Sequence, residues 1–163
     1  AKKSQELKSL GKKVVLSHGI FDLIHNGHIS HLKKARSEGD ILMVTLTADE
    51  YVNLGPDHPK FDEKLRAETL AALECVDYVA VNEWPTAQET LRLLKPDIYV
   101  KGQEFEKLED KTGKIQKEYD VIKEIGAELR FTYEIVFSST ELLNKHFNPQ
   151  IPQNSADKKQ DLR

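Results

Sequence analysis

The sequence predicts an α/β fold, a Rossmann-like doubly wound parallel sheet with helices on both faces. Two observations predict it. Apolar runs of strand length alternate with helical patterns along the whole chain, and no internal repeat is visible. The densest cluster of glycine and histidine falls where the first strand should hand over to a helix. In such sheets ligands sit beyond the carboxyl ends of the strands, at the switch point.

The elements follow in order. Residues 13–17 (KVVLS) read as a buried strand, and 27–38 place Ile29, Leu32 and Ala35 at helical spacing. Residues 41–47 (ILMVTLT) are the clearest strand, after which Gly55, Pro56 and Pro59 break the chain. Residues 62–76 put Leu65, Thr69, Leu73 and Val76 on one helical face. A short strand is expected at 78–81 and a short helix at 86–94, opened by the capping box Thr86-x-x-Glu89. Residues 97–101 (DIYVK) read as a strand, 115–125 as a helix bearing Ile115, Tyr119, Ile122 and Ile125, and 128–132 as extended. A last helix is expected from about 139 to 147. Residues 148–163, with Pro149 and Pro152 and little apolar content, read as a linker or frayed tail that leads toward a further domain.

Composition bounds the function. A chain of 163 residues, 39% hydrophobic and 31% charged, suits one domain with a real core. Its 24 basic and 27 acidic residues are well mixed, net −3, which gives no support to a nucleic-acid binder. The lone Cys75 forms no internal disulfide and no cysteine-based zinc cage, reads as an inert buried thiol, and suits a reducing compartment. No apolar run approaches the roughly 18 residues that cross a membrane, and no signal-peptide core follows the N-terminal lysines. A cytoplasmic protein is expected.

The chemistry concentrates in His18-Gly19-Ile20-Phe21-Asp22-Leu23-Ile24-His25-Asn26-Gly27-His28. Gly19 is expected to let the backbone turn at the strand end, and Gly27 to open the helix with no side chain in the way. A helix N-terminus there offers amide donors and a positive dipole end to a polyphosphate. His25 and His28, three apart, can converge on one anion and donate hydrogen bonds as charge develops. The alternatives are a plain helix cap, or a metal pair that lacks a third ligand at helical spacing. His31 continues the spacing and reads as surface; His18 either lines the pocket or simply ends the strand.

Gly19 to His28 resembles the Gly-x-Phe-Asp-x-x-His-x-Gly-His signature of the cytidylyltransferase-like nucleotidyltransferases. That group includes glycerol-3-phosphate cytidylyltransferase, heptose-1-phosphate adenylyltransferase and pantetheine-phosphate adenylyltransferase. Leu65-Arg66-Ala67-Glu68 with 71–77 is similar to the arginine-bearing helix of the heptose-type enzymes, and 94–102 to their Lys-Pro-Asp-x-x-Val-Lys-Gly segment. Phe137-Ser138-Ser139-Thr140 resembles the family's second, phosphate-holding signature, although Ser138-x-x-Glu141 alone is a capping box. Together these cover about 12–147 and make 1–147 a nucleotidyltransferase domain, of the kind found fused to ribokinase-type sugar kinases.

The resemblance implies transfer of a nucleoside monophosphate from CTP or ATP, with Mg²⁺, to a phosphorylated sugar or polyol, releasing pyrophosphate. It assigns His25, His28, Lys60 and Arg66 to catalysis and Gly19, Ile20, Phe21, Gly27, Lys101, Gly102, Ser138, Ser139 and Thr140 to the nucleotide. Asp22, Asp49 and His58 fall to the acceptor, with Asp49 alternatively the N-cap of a short helix. No protein metal ligand is implied; the partners implied are a second copy of the chain and a fused or separate sugar kinase. His58 stands where relatives carry Lys or Arg, and no cation precedes Ser138. Phe21-Asp22-Leu23-x-His25 favours CTP, whereas 94–102 favours ATP. Outside this class stand a non-catalytic nucleotide-binding module and an aminoacyl-tRNA-synthetase-like fragment.

Overall fold

A computed structural model of the chain describes residues 1–55, 57–108 and 113–133. Its helices are α1 (Lys2–Ser9), α2 (Asn26–Arg36), α3 (Glu63–Ala71), α4 (Gln88–Leu94) and α5 (Lys114–Ile125). Its strands are β1 (Val14–Gly19), β2 (Ile41–Thr47), β3 (Tyr78–Asn82), β4 (Ile98–Gly102) and β5 (Glu128–Thr132). The strands form one sheet in the order β3-β2-β1-β4-β5, every described pair parallel. The chain runs outward from β1 through β2 to β3, then crosses back to lay β4 on the other side of β1. The switch point is therefore the crevice between β1 and β4.

Both faces of the sheet are covered, which is why β1 and β2 read as continuous apolar runs rather than alternating ones. On one face Val15, Val44, Leu46 and Val100 pack with Leu32 and Ala35 of α2 and Leu70 of α3. On the other, Val14, Leu16, Met43 and Tyr99 pack with Leu7 of α1, Leu91 of α4 and Val121 and Ile122 of α5. Three carboxylates close the amino edge of the sheet. Asp40, Asp77 and Asp97 accept the N–H of Lys13, Leu42 and Val14, each at 2.8 Å.

Several expectations change. Helix α1 carries only Ser4 and Leu7 inward, too few apolar positions to register as periodicity; the Ser4 hydroxyl donates to the Leu94 carbonyl at 2.6 Å. Helix α3 ends at Ala71 and turns a different face inward: Arg66 and Leu70 are buried, while Leu65 is 47% exposed. The cause is Arg66, whose guanidinium is drawn into the interior by backbone carbonyls. Helix α4 starts after the buried Ala87, so Thr86 is not its cap; the Thr86 hydroxyl instead accepts from the Gln88 side-chain amide at 3.0 Å. The last helix, expected over 139–147, and the tail at 148–163 lie outside the described residues.

Gly39, in the α2–β2 turn, has no room for a side chain. A Cβ there meets Val15 Cγ2 at 2.6 Å and the Lys13 carbonyl oxygen at 2.8 Å. Gly39→Ala should lower the unfolding free energy by about 1–3 kcal/mol, read by urea denaturation.

Candidate active site

Strand β1 ends at His18-Gly19, between β2 and β4, and hands over to α2 through residues 20–25. Gly19 itself has no left-handed backbone; Phe21 and Leu23, with φ of 53° and 55°, make the turn. Gly19 instead makes space, since a Cβ there falls 3.2 Å from the Phe21 ring. Phe21 is buried in the core and meets His28 edge-on, ring centroids 5.6 Å apart.

His25 is the N-cap of α2, in extended conformation. Its Nδ1 accepts the Gly27 N–H at 3.1 Å, and His28 Nδ1 accepts the His25 N–H at 3.4 Å. The two rings stack 3.9 Å apart, 27° from parallel. A nitrogen that meets an N–H must offer a lone pair, so each ring carries its proton on Nε2. Burial lowers both, His25 below its ordinary value and His28 to about 4, with the charges of His25 and His31 adding to the effect on His28. At neutral pH the pair is uncharged and presents two Nε2–H donors at a helix N-terminus. The cap and the anion-site readings of these histidines are one arrangement, because the capping bonds select the tautomer.

His31 is not a surface residue. Its Nε2 lies 2.9 Å from Ser17 Oγ and its Nδ1 2.7 Å from Thr132 Oγ1, bridging β1 and β5 from α2. His18 lies on the opposite face of β1, 3.0 Å from Thr45 Oγ1 and 3.4 Å from Thr47 Oγ1. Burial, with the Lys101 charge second, brings His18 to about 3 and His31 to about 4. Sequence reasoning missed His31, Thr45, Thr47 and Thr132. The available signal was the His28-x-x-His31 spacing, which keeps His31 on the His28 face of α2.

The expected cations differ in availability. The Lys60 side chain is exposed. Lys101 is 8% exposed, and its ammonium donates to the His18 carbonyl at 3.2 Å. Arg66 is 1% exposed. Its Nε donates to Phe61 O (3.0 Å), one terminal nitrogen to Ile20 O (2.6 Å), and the other to Thr47 O (2.8 Å) and Asp49 Oδ1 (2.6 Å). These four hydrogen bonds all go to protein groups, and the one to the Ile20 carbonyl holds the signature loop.

Two of the acceptor-side carboxylates are likewise engaged. Asp49 opens a 3₁₀ turn whose N-cap is Ala48, so it is not the cap. It holds Arg66 and exchanges hydrogen bonds with Glu63: Asp49 N–H donates to Glu63 Oε2 at 3.0 Å, and Glu63 N–H to Asp49 Oδ2 at 3.1 Å. Asp22 is 8% exposed and accepts the N–H groups of Lys60 (2.8 Å) and Phe61 (3.2 Å), with His58 Nδ1 at 3.2 Å. Burial opposes its charge, but the Lys60 and Phe61 amides and the His58 ring together hold it below its ordinary value. Asp22 and His58 thus tie the 58–61 segment to the signature loop. Gly102 ends β4 at the same edge of the sheet, while Ser138, Ser139 and Thr140 lie outside the described residues. An apolar hollow of about 200 Å³ lies between the loop and α3, lined by Phe21, Leu23, Ile24, Phe61, Arg66 and Thr69. Cys75 is half-buried against the core, and burial raises its thiol.

A five-stranded parallel sheet with a stacked histidine pair at its switch point defines a Rossmann-like α/β protein. Residues 16–150 match the sequence model of the cytidylyltransferase-like family, and the chain belongs to that family. It is 38% identical over 141 residues to the bifunctional protein HldE of Geobacter metallireducens, covering 85% of this chain and 28% of that one. With the HldE of Helicobacter pylori strain P12 it shares 48% identity over 96 residues, 58% of this chain and 21% of that one. The matched part thus spans about a quarter of the curated relatives. The lipopolysaccharide core biosynthesis protein of Thermoplasma volcanium superposes with a TM-score of 0.64 and 25% identity, covering 77% of this chain and all of that one. A pantoate–β-alanine ligase from Francisella tularensis shares the fold, with a TM-score of 0.55 at 17% identity. Among the described residues no helix is long and apolar enough to cross a membrane.

Two outcomes test this geometry. Arg66→Met strips three carbonyls of their donor in the interior, so the unfolding free energy should fall by about 3 kcal/mol; a loss of activity at full stability would instead mark Arg66 as a direct ligand. The second concerns pH. His18, His28 and His31 titrate near 3, 4 and 4 when folded, against an ordinary 6.5. The unfolded chain therefore binds protons that the folded chain refuses. Stability is fully present above about pH 6.5 and falls on acidification toward about pH 4. Thermal midpoints across that window should drop, with a shallower slope in His31→Gln.

Proposed function

We propose that the chain transfers a nucleoside monophosphate from a Mg²⁺–nucleoside triphosphate to a phosphorylated sugar. The observation that carries this reading is the stacked His25–His28 pair, whose capping bonds leave both rings neutral with their protons on Nε2. Imidazoles made such weak bases by burial are poor general bases and serviceable hydrogen-bond donors. An acceptor phosphate needs no base, since its dianion is already nucleophilic.

In the reaction an oxygen of the acceptor phosphate bonds to the α-phosphorus, and the bond from that phosphorus to the bridging oxygen breaks, releasing pyrophosphate. His25 and His28 donate to phosphoryl oxygens as negative charge builds, and the N-terminal amides of α2 and its dipole add to this. Gly19, Ile20, Phe21 and Gly27 shape the backbone beside the triphosphate. Lys101 and Gly102 border it from β4, and Lys60 supplies an exposed cation. Ser138, Ser139 and Thr140 hold the terminal phosphates. The site residues are mainly donors, and Asp22 and Asp49 are held by protein groups. Among the described residues no group of three or more His, Cys, Asp or Glu is placed to hold a metal. Mg²⁺ would enter with the triphosphate, whose oxygens would supply most of its ligands.

ATP is the nucleotide favoured by the heptose-type character of 94–102. CTP is the second reading, favoured by Ile20, where heptose-type enzymes carry Cys, and by Phe21-Asp22-Leu23-x-His25. The relatives are bifunctional and much longer than the matched part, which is compatible with a sugar kinase, fused or separate, as the source of the acceptor. Titration calorimetry with Mg-ATP and Mg-CTP separates the two nucleotides without knowledge of the acceptor. His28→Ala should then lower kcat for pyrophosphate release by about 100-fold or more, with nucleotide affinity little changed. An unchanged rate would sink the assignment.

A further inference from the structure

One buried charge has no part in the function just described. Glu118 of α5 is 4% exposed and lies on the face of the helix that carries Ile115 and Ile122 into the apolar layer. Its Oε2 accepts the Tyr99 hydroxyl at 2.8 Å and sits 3.7 Å from the Lys101 ammonium. Tyr99 and Lys101 are two apart on β4 and share one face of the strand. The ammonium also donates to the His18 carbonyl at 3.2 Å and stands 4.6 Å from the Phe105 ring centroid. A connected line of polar groups thus runs from α5, through Glu118 and Lys101, to the end of β1 at the switch point.

A buried carboxylate–ammonium pair stabilises a fold little more than apolar side chains of the same volume. It does specify where a charge stands. A lysine side chain is a flexible stem; here one end of its cage is the His18 carbonyl, and the other is a carboxylate that the Tyr99 hydroxyl orients. We propose that Glu118 is a positioning residue that, with Tyr99, holds the Lys101 ammonium at the carboxyl end of β1 as a fixed positive charge for the nucleotide phosphates. This rests on the reading that the triphosphate binds beside Lys101.

The test is a double-mutant cycle on the 163-residue chain with Lys101→Met and Glu118→Gln, reading calorimetric Kd for Mg-ATP and Mg-CTP alongside unfolding midpoints. Gln keeps the shape and an acceptor for Tyr99. Each single change should weaken the bound nucleotide about tenfold, the loss of roughly one charge-assisted contact. The double variant should bind no more weakly than Lys101→Met alone, because Glu118 acts through that lysine. Costs that multiply, or a lowered midpoint with unchanged Kd in Glu118→Gln, overturn the proposal. So does unchanged binding in Lys101→Met. If Glu118→Gln does not fold, Lys101→Met combined with Glu118→Leu removes both charges together; a Kd equal to that of Lys101→Met supports the proposal and a further loss overturns it. Failure of the unsubstituted chain to bind either nucleotide overturns the functional reading and this one together, which distinguishes it from a failure of the cycle alone.

Discussion

The guanidinium of Arg66 is where separate stretches of this chain are held to one another. From α3 it reaches the carbonyls of Ile20 in the signature loop, Thr47 at the end of β2 and Phe61 before its own helix, and the carboxylate of Asp49. A planar fork of donors can meet carbonyls in several directions at once, which an ammonium cannot do. With the loop held at Ile20 and again through Asp22 to residues 60 and 61, the turn at Phe21 and Leu23 can adopt left-handed backbone without glycine. The placement of His25 and His28 at the start of α2 depends on that turn.

Charge is distributed with a consistent logic around the end of β1. The histidines nearest the switch point are neutral: burial disfavours their protonated forms, and the Lys101 charge reinforces this at His18 and His31. Lys101 has the Glu118 carboxylate beside it, and Arg66 has Asp49. The end of β1 therefore sets neutral histidines near a lysine with a carboxylate neighbour, while the Lys60 side chain is exposed. That combination suits a polyanion, since donors and cations stand in place before the phosphates arrive.

Much of this was legible in the chain. Strands β1, β2 and β4 appear as short apolar runs because a parallel sheet covered on both faces buries consecutive residues. The signature from Gly19 to His28 is local, and its position after a strand and before a helix is enough to locate the crevice. The roles of Arg66 and His31 were hidden. Each sits on a helix where a polar residue ordinarily faces water, and what reverses that is a set of partners distant in sequence: Ile20 and Thr47 for Arg66, and Ser17 and Thr132 for His31. The inward face of α3 was misjudged for the same reason, because apolar periodicity does not count a buried arginine.

The sequence by itself determined the α/β class, the strand–turn–helix that carries the histidine pair, and the family. All are set by local patterns in which side-chain type and spacing act within a few residues. The tertiary structure alone decided the strand order around β1, the burial of Arg66 and His31, and which distant groups hold them. Those depend on hydrogen bonds and burial between segments tens of residues apart, and a buried polar group takes its role from the partner that satisfies it.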